Sequence, residues 1–151
     1  MAPISRLNHV AMSIPARLLD ESTRADIVAF YGEVFGWNEQ PLDEPGNPLV
    51  LRVGIHPTQF VFVQPDEGDA MHSGHRDHFG VEVGSEQALD DILASARRYQ
   101  QKDSRVEIVD KQLVRTPSTD RAIDYETINC YIGFILPMKI EVQHFRQSPR
   151  S

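Results

Sequence analysis

Apolar residues in this chain fall into short β-type runs broken by two stretches with helical spacing, and this order occurs twice. Residues 7–14 (LNHVAMSI) are β-compatible and open the first strand. Residues 15–22 read as a loop. From Thr23 to Phe35, the residues Ile27, Phe30, Tyr31, Val34 and Phe35 fall at i, i+3, i+4, i+7 and i+8, which is one face of a helix. Thr23 is placed to cap its start, and Gly36 sits where a helix C-terminus takes glycine. Residues 37–41 predict a short strand and 43–48 (DEPGNP) a loop. Residues 49–53 and 59–63 are apolar strands joined by a turn at His56-Pro57. The polar, glycine-containing residues 65–76 suit a linker.

The second half repeats the order. Residues 78–83 predict a strand, and 85–96 a helix capped by Ser85 with Leu89, Ile92, Leu93 and Ala96 on one face. A strand over 106–109 precedes a polar stretch, 110–124, with no clear pattern. Residues 127–136 and 138–145 are the last two strands, and 146–151 (RQSPRS) read as a frayed tail. The likeness extends to single residues. Residues 76–83 (RDHFGVEV) align with 7–14, which sets Asn8 on Asp77, His9 on His78, Val10 on Phe79 and Ile14 on Val83 at an offset of 69 (78 minus 9). Residues 57–61 align with 137–141, which sets Val61 on Glu141 at an offset of 80 (141 minus 61). The second half therefore holds 11 more residues (80 minus 69), placed mainly between Asp110 and Asp124. Such a repeat predicts two similar packed modules. The expectation is an α+β chain of two β-α-β-β-β modules: 1–66, a linker at 67–75, a second module at 76–146 and a tail at 147–151.

Composition narrows the function classes. With 151 residues, 40% hydrophobic and 25% charged, the chain can bury a core. A formal net charge of −7 argues against nucleic acid or an anionic membrane as partner. The single cysteine, Cys130, forms no internal disulfide and fits a reducing compartment. The start, MAPISRLNHV, lacks the apolar run of a signal peptide, and no stretch approaches the roughly 20 apolar residues of a membrane span. A soluble cytoplasmic domain is expected.

His9, His78 and Glu141 are the candidate chemistry. All three fall mid-strand among apolar neighbours. An unpaired glutamate within Lys139-Ile-Glu-Val142 is costly to bury, and metal coordination removes that cost. Two histidines and one carboxylate make a facial ligand set with open positions for water, oxygen or substrate. Fe(II) is the usual occupant, and Zn(II), Mn(II) and Ni(II) accept the same donors. The alternative is two half-buried histidines satisfied by backbone and a glutamate on a solvent face.

Tyr131 adds to the set. In a tight hairpin centred on Leu136, residues 131 and 141 stand directly opposite and share a face. The alternative is a packed tyrosine with its hydroxyl satisfied. Asn129 and Gln143 share that phase, whereas Cys130 and His144 point the other way. His72 and His75, in HSGHRDH, are either acid–base groups or solvated loop residues, and His56 is a turn residue. No glycine-rich phosphate loop, serine nucleophile elbow or CxxC pair is present.

LNHVAMSI, the helix ending FYGEVFGW, RDHFGVEV and KIEVQHF together resemble the vicinal oxygen chelate superfamily. That group includes glyoxalase I, bleomycin- and fosfomycin-resistance proteins, methylmalonyl-CoA epimerase and extradiol ring-cleaving dioxygenases. The resemblance covers nearly the whole chain. It implies paired βαβββ modules, with flanking helices, forming a cup-shaped mixed sheet around a divalent metal. The metal positions carried over are His9 in the first strand, His78 in the fifth and Glu141 in the eighth. Many members, glyoxalase I among them, add a ligand from the fourth strand. Here that position is Val61, which cannot ligate, and neither Gln59 nor Gln64 aligns with it. The resemblance then implies an extradiol-type dioxygenase, with Fe(II), a catechol-like substrate and Tyr131 hydrogen-bonding that substrate. It also allows a glyoxalase-type lyase or isomerase, or a metal-free resistance-type protein binding an aromatic ligand in a dimer groove. A homodimer is expected, with the site inside one chain or across two. Members usually carry a polar turn before the last strand, whereas this chain has Phe134-Ile-Leu-Pro-Met138. An apolar turn is expected to be covered by a partner subunit or to line the substrate cavity.

Overall fold

In a computed structural model that describes residues 6–43, 47–116 and 123–149, the apolar runs become eight strands and the two helical patterns become α-helices. In chain order these are β1 (His9–Ile14), α1 (Glu21–Phe35), β2 (Asn38–Glu39), β3 (Leu49–Arg52) and β4 (Phe60–Pro65). Then follow β5 (His78–Glu82), α2 (Glu86–Gln100), β6 (Glu107–Thr116), β7 (Ile123–Gly133) and β8 (Lys139–Pro149). The chain divides into two units, Met1–His72 and Ser73–Ser151. Each reads β-α-β-β-β, the α+β architecture that the internal repeat predicts. The sheet orders are β1-β4-β3-β2 and β5-β8-β7-β6. In each sheet the first strand runs parallel to the last, and the remaining pairs are antiparallel.

Local chemistry sets the helices. Ile27, Phe30, Tyr31 and Val34 of α1 are buried, as the 3.6-residue period requires. The cap is Asp20 rather than Thr23: its carboxylate accepts from the Thr23 N–H at 2.8 Å, so the helix begins two residues earlier than expected. Gly36 ends the helix at φ 71°, and the Trp37 N–H donates back to the Tyr31 carbonyl. In α2, Ser85 accepts from the Ala88 N–H at 3.1 Å, and Leu89, Leu93 and Ala96 are buried.

Strand parity sorts the side chains. In the first unit Met12, Ile14, Leu49, Leu51, Val61 and Val63 are buried, while His9 lies on the other parity, opposite Phe60. In the second unit Ile128, Cys130, Ile132, Ile140 and Val142 form the buried set. Asn129, Tyr131, Glu141 and Gln143 share the opposite face. Cys130 and His144 are thus out of phase with Glu141, as expected.

Pairing corrects one alignment. His9 pairs with Phe60 and His78 with Lys139, so the last strands of the two units correspond at an offset of 79 (139 minus 60). The residue matching Glu141 is therefore Phe62 (141 minus 79), not Val61. Val61 is 1% exposed and belongs to the core parity. A slip of one residue exchanges the faces of a strand, and the sequence alignment made that slip. Phenylalanine, like valine, supplies no metal ligand.

The second half also departs from expectation at its ends. Part of the polar 110–124 stretch is strand: β6 runs on to Thr116 and β7 starts at Ile123, with 117–122 outside the described residues. A bulge between Val109 and Gln112 lets β6 keep pairing with β7. Residues 146–149 continue β8 instead of fraying, because β7 is long enough to pair with them. The apolar turn after Gly133 finds cover from its own unit. Phe134 and Leu136 are buried within their own unit, with the Phe134 ring edge-to-face on Tyr99 at 5.8 Å and the Arg105 guanidinium 5.1 Å from its centre.

Candidate metal centre

Three strands of the second unit bring the site together. β5 starts at His78, β8 carries Glu141 two residues in, and β7 sets Tyr131 directly across from Glu141. Glu141 is 7% exposed, so its carboxylate needs partners. Oε1 accepts from the Asn129 amide and from the Tyr131 hydroxyl at 3.0 Å. Oε2 lies 3.1 Å from His78 Nε2. The His78 and Tyr131 rings meet edge-to-face at 5.1 Å. On β5, Gly80 pairs with Glu141, and a Cβ there would stand 3.1 Å from Gln143 Oε1, so a side chain would crowd the residue beside Glu141.

The tautomer of His78 follows from its partners. Nδ1 lies 2.7 Å from the Arg76 carbonyl oxygen, which can only accept, so Nδ1 carries the hydrogen. Nε2 then turns its lone pair towards a carboxylate oxygen, and that contact is attractive only with a cation between them, either a proton or a metal. A histidine whose far nitrogen is held by a backbone carbonyl has the outer-sphere support typical of metal ligands. His78 and Glu141 are thus two donors of the kind that a divalent ion takes, and the third expected ligand, His9, lies in the other unit.

His9 has the same preparation in the first unit. Its Nδ1 is 2.9 Å from Asn8 Oδ1, and its ring stacks on Phe60 at 4.9 Å with 7° between planes. With the amide oxygen as acceptor, Nε2 is the nitrogen left for a ligand. The structure thus brings Glu141, His78 and Tyr131 together, and among the described residues no group of three or more His, Cys, Asp or Glu side chains could hold a metal. A cavity of about 300 Å³ is walled by His78 and Tyr131, with His75, Arg76, Asp77 and Lys139 around them. His75 thus lines the same cavity as His78 and Tyr131. His56 accepts a turn hydrogen bond from the Gln59 N–H, as expected of a turn residue.

Burial, then the hydrogen bond to Glu141 and the glutamate charge, push the Tyr131 phenol above its ordinary value. The folded protein thus retains a proton that the unfolded chain loses near pH 10. This contribution to stability is complete below that pH and fades as pH rises through the folded value. Ultraviolet titration should show a late phenolate that is missing in Tyr131→Phe; loss of an ordinary phenolate instead would contradict the buried hydrogen bond.

Cys130 is not part of the chemistry. Its thiol is buried, and burial followed by the nearby Asp110 and Asp90 charges raises it to about 11. Native protein at pH 8 is expected to leave a thiol reagent untouched, with one thiol released in denaturant. Rapid native labelling would show the site to be open.

No protein-family model matches the sequence, and no curated protein matches it. Solved structures do. A glyoxalase family protein from Bacillus anthracis is 18% identical, with 97% of this chain and 99% of that chain covered, at a TM-score of 0.60. A mutant of FosX, the fosfomycin resistance protein of Listeria monocytogenes, is 14% identical over 93% of this chain and 92% of that one, at 0.57; it was crystallised with Mn(II) and 1S,2S-dihydroxypropylphosphonic acid. A glyoxalase/bleomycin resistance protein from Albidiferax ferrireducens T118 is 12% identical over 93% and 99%, also at 0.57. At these identities the likeness establishes the fold, which is the one the sequence motifs imply. No described helix is long and apolar enough to cross a membrane.

Proposed function

We propose that this chain, which has the fold of the vicinal oxygen chelate proteins, is a divalent-metal enzyme that holds two neighbouring oxygens of a small-molecule substrate. The metal ligands are His9, His78 and Glu141, and Tyr131 stands beside them as a hydrogen-bonding group. The observation that carries this reading is the His78–Glu141 contact at 3.1 Å, with Nδ1 of the histidine already committed to a carbonyl. A bound divalent ion supplies Lewis acidity and a point of attachment for the two oxygens. The chain supplies orientation. Arg76 fixes the plane of the His78 ring through its carbonyl, and Glu141 keeps one oxygen towards that ring. Tyr131 donates to Glu141, accepts a long contact from the Asn129 amide at 3.4 Å, and has a lone pair left to accept from a substrate hydroxyl. The phenol is protonated at neutral pH, and burial and Glu141 extend that state to higher pH.

The finer proposal is an Fe(II) ring-cleaving dioxygenase acting on a catechol-like substrate. Phe62 at the position matching Glu141 supports it, since three protein ligands leave room for both a chelating substrate and oxygen. The second reading is metal-dependent lyase or isomerase chemistry, favoured by the Mn(II) and vicinal diol in the FosX neighbour.

The test begins with protein purified without chelator and reconstituted with Fe(II), Mn(II), Zn(II) or Ni(II). Binding of one equivalent is expected, and failure of all four would end both readings in favour of a metal-free binding protein. Anaerobic Fe(II) loading and a panel of catechols should then give oxygen uptake. Tight metal binding without uptake would replace the dioxygenase by the lyase or isomerase. Mixing His9→Ala with Glu141→Gln protein restores binding only if the ligands come from two copies, which tests the homodimer.

A further inference from the structure

We propose that Asn129 is a positioning residue that captures one oxygen of Glu141 and leaves Oε2 alone to face a cation beside His78; this rests on the metal-site reading above. Asn129 sits on β7 two residues before Tyr131, on the same face, paired with Gln143. It is 5% exposed. Its amide nitrogen donates to Glu141 Oε1 and lies 3.4 Å from the Tyr131 hydroxyl oxygen. The Tyr131 hydroxyl donates to the same Oε1. The amide orientation is fixed by this contact, because a flipped carbonyl oxygen would face a carboxylate oxygen.

Asn129 Oδ1 is buried and has no hydrogen-bond partner among the described residues. An orphan acceptor is a cost to folding, and a residue kept only for packing would not carry one. The side chain is therefore retained for its donor. Two donors meet on Oε1, while among the described residues Oε2 has only the imidazole nitrogen at 3.1 Å. A carboxylate with both oxygens free can grip a cation with the pair. Held as it is here, Glu141 offers one. The consequence is specific: a second carboxylate oxygen would occupy a coordination position that a chelating substrate needs. Asn129 thereby sets how many positions remain open.

The experiment uses the full chain with Mn(II) as probe and ¹³C-labelled glutamate carboxylates in metal-loaded minus metal-free infrared spectra. One-oxygen coordination separates the antisymmetric and symmetric carboxylate stretches widely, and two-oxygen coordination draws them together. Wild type should show the wide separation. Asn129→Ala should narrow it and weaken Mn(II) affinity about tenfold to a hundredfold, in the range seen for outer-sphere partners of metal ligands. Asn129→Ser, which restores a donor, should recover part of both. Tyr131→Phe keeps the shape and removes the other donor, so it must move the separation in the same direction even if Asn129→Ala does not fold. A narrow separation in wild type overturns the proposal, as does an unchanged separation and affinity in the variants that fold. If Glu141→Gln loses Mn(II) while the Asn129 and Tyr131 variants behave as wild type, the metal site stands and the positioning role falls. Wild-type protein that binds no Mn(II), Fe(II), Zn(II) or Ni(II) sinks both.

Discussion

Glu141→Gln is expected to lower divalent-metal affinity about a hundredfold or more, beyond the range for outer-sphere partners, because it removes the one anionic ligand of the proposed set. The amide is nearly isosteric, so the fold should survive the change. Its new N–H₂ cannot replace Oε1 as an acceptor for both Asn129 and Tyr131 and Oε2 as a ligand at once. Calorimetric titration with Mn(II), alongside the thermal midpoint of the metal-free variant, separates affinity from folding. Affinity within threefold of wild type would remove Glu141 from the ligand set. His78→Ala should act in the same direction, with the loss carried by Nε2.

Phe134→Ala is expected to cost about 3–5 kcal/mol of stability, the range for truncating a fully buried aromatic residue. Phe134 is 1% exposed, packs on Tyr99 and lies under Arg105. It also anchors an unusual turn. Ile135 takes a φ of 60°, a left-handed conformation that β-branched residues avoid, and the Leu136 N–H closes back on the Phe134 carbonyl at 2.6 Å. The buried flanks, Phe134 and Leu136, hold Ile135 there. Ile135→Gly, which relieves the backbone, should cost little by comparison. Urea midpoints with unchanged slopes give the values. Phe134 lies in the turn beyond β7 and packs on Tyr99 of α2, so metal affinity should stay within about twofold. A loss below 1 kcal/mol would mean that the turn is held by something else.

These two residues mark where sequence reasoning reached and where it stopped. The opposition of Tyr131 and Glu141 was legible because a hairpin centred on Leu136 has only one symmetric register. The burial of the apolar turn was also legible, but its cover was not. Tyr99 and Arg105 are about 30 residues away in sequence, and α2 and the turn after it bring them to Phe134 only in three dimensions. Asn129 was seen to share the face of Tyr131, yet its bond to Glu141 depends on side-chain rotation, which alternation does not encode.

By itself the sequence determined the repeated β-α-β-β-β order, the helix faces and the histidine that opens each unit, because periodicity and local capping are short-range physics. Tertiary structure decided the rest. Parallel pairing of β1 with β4 and of β5 with β8 joins strands about 50–60 residues apart, and it sets Phe62 rather than Val61 in the place of Glu141. A one-residue difference in such a register cannot be read from composition, since both residues are apolar. It reverses the face of the strand, and so it determines which side chains meet at the site.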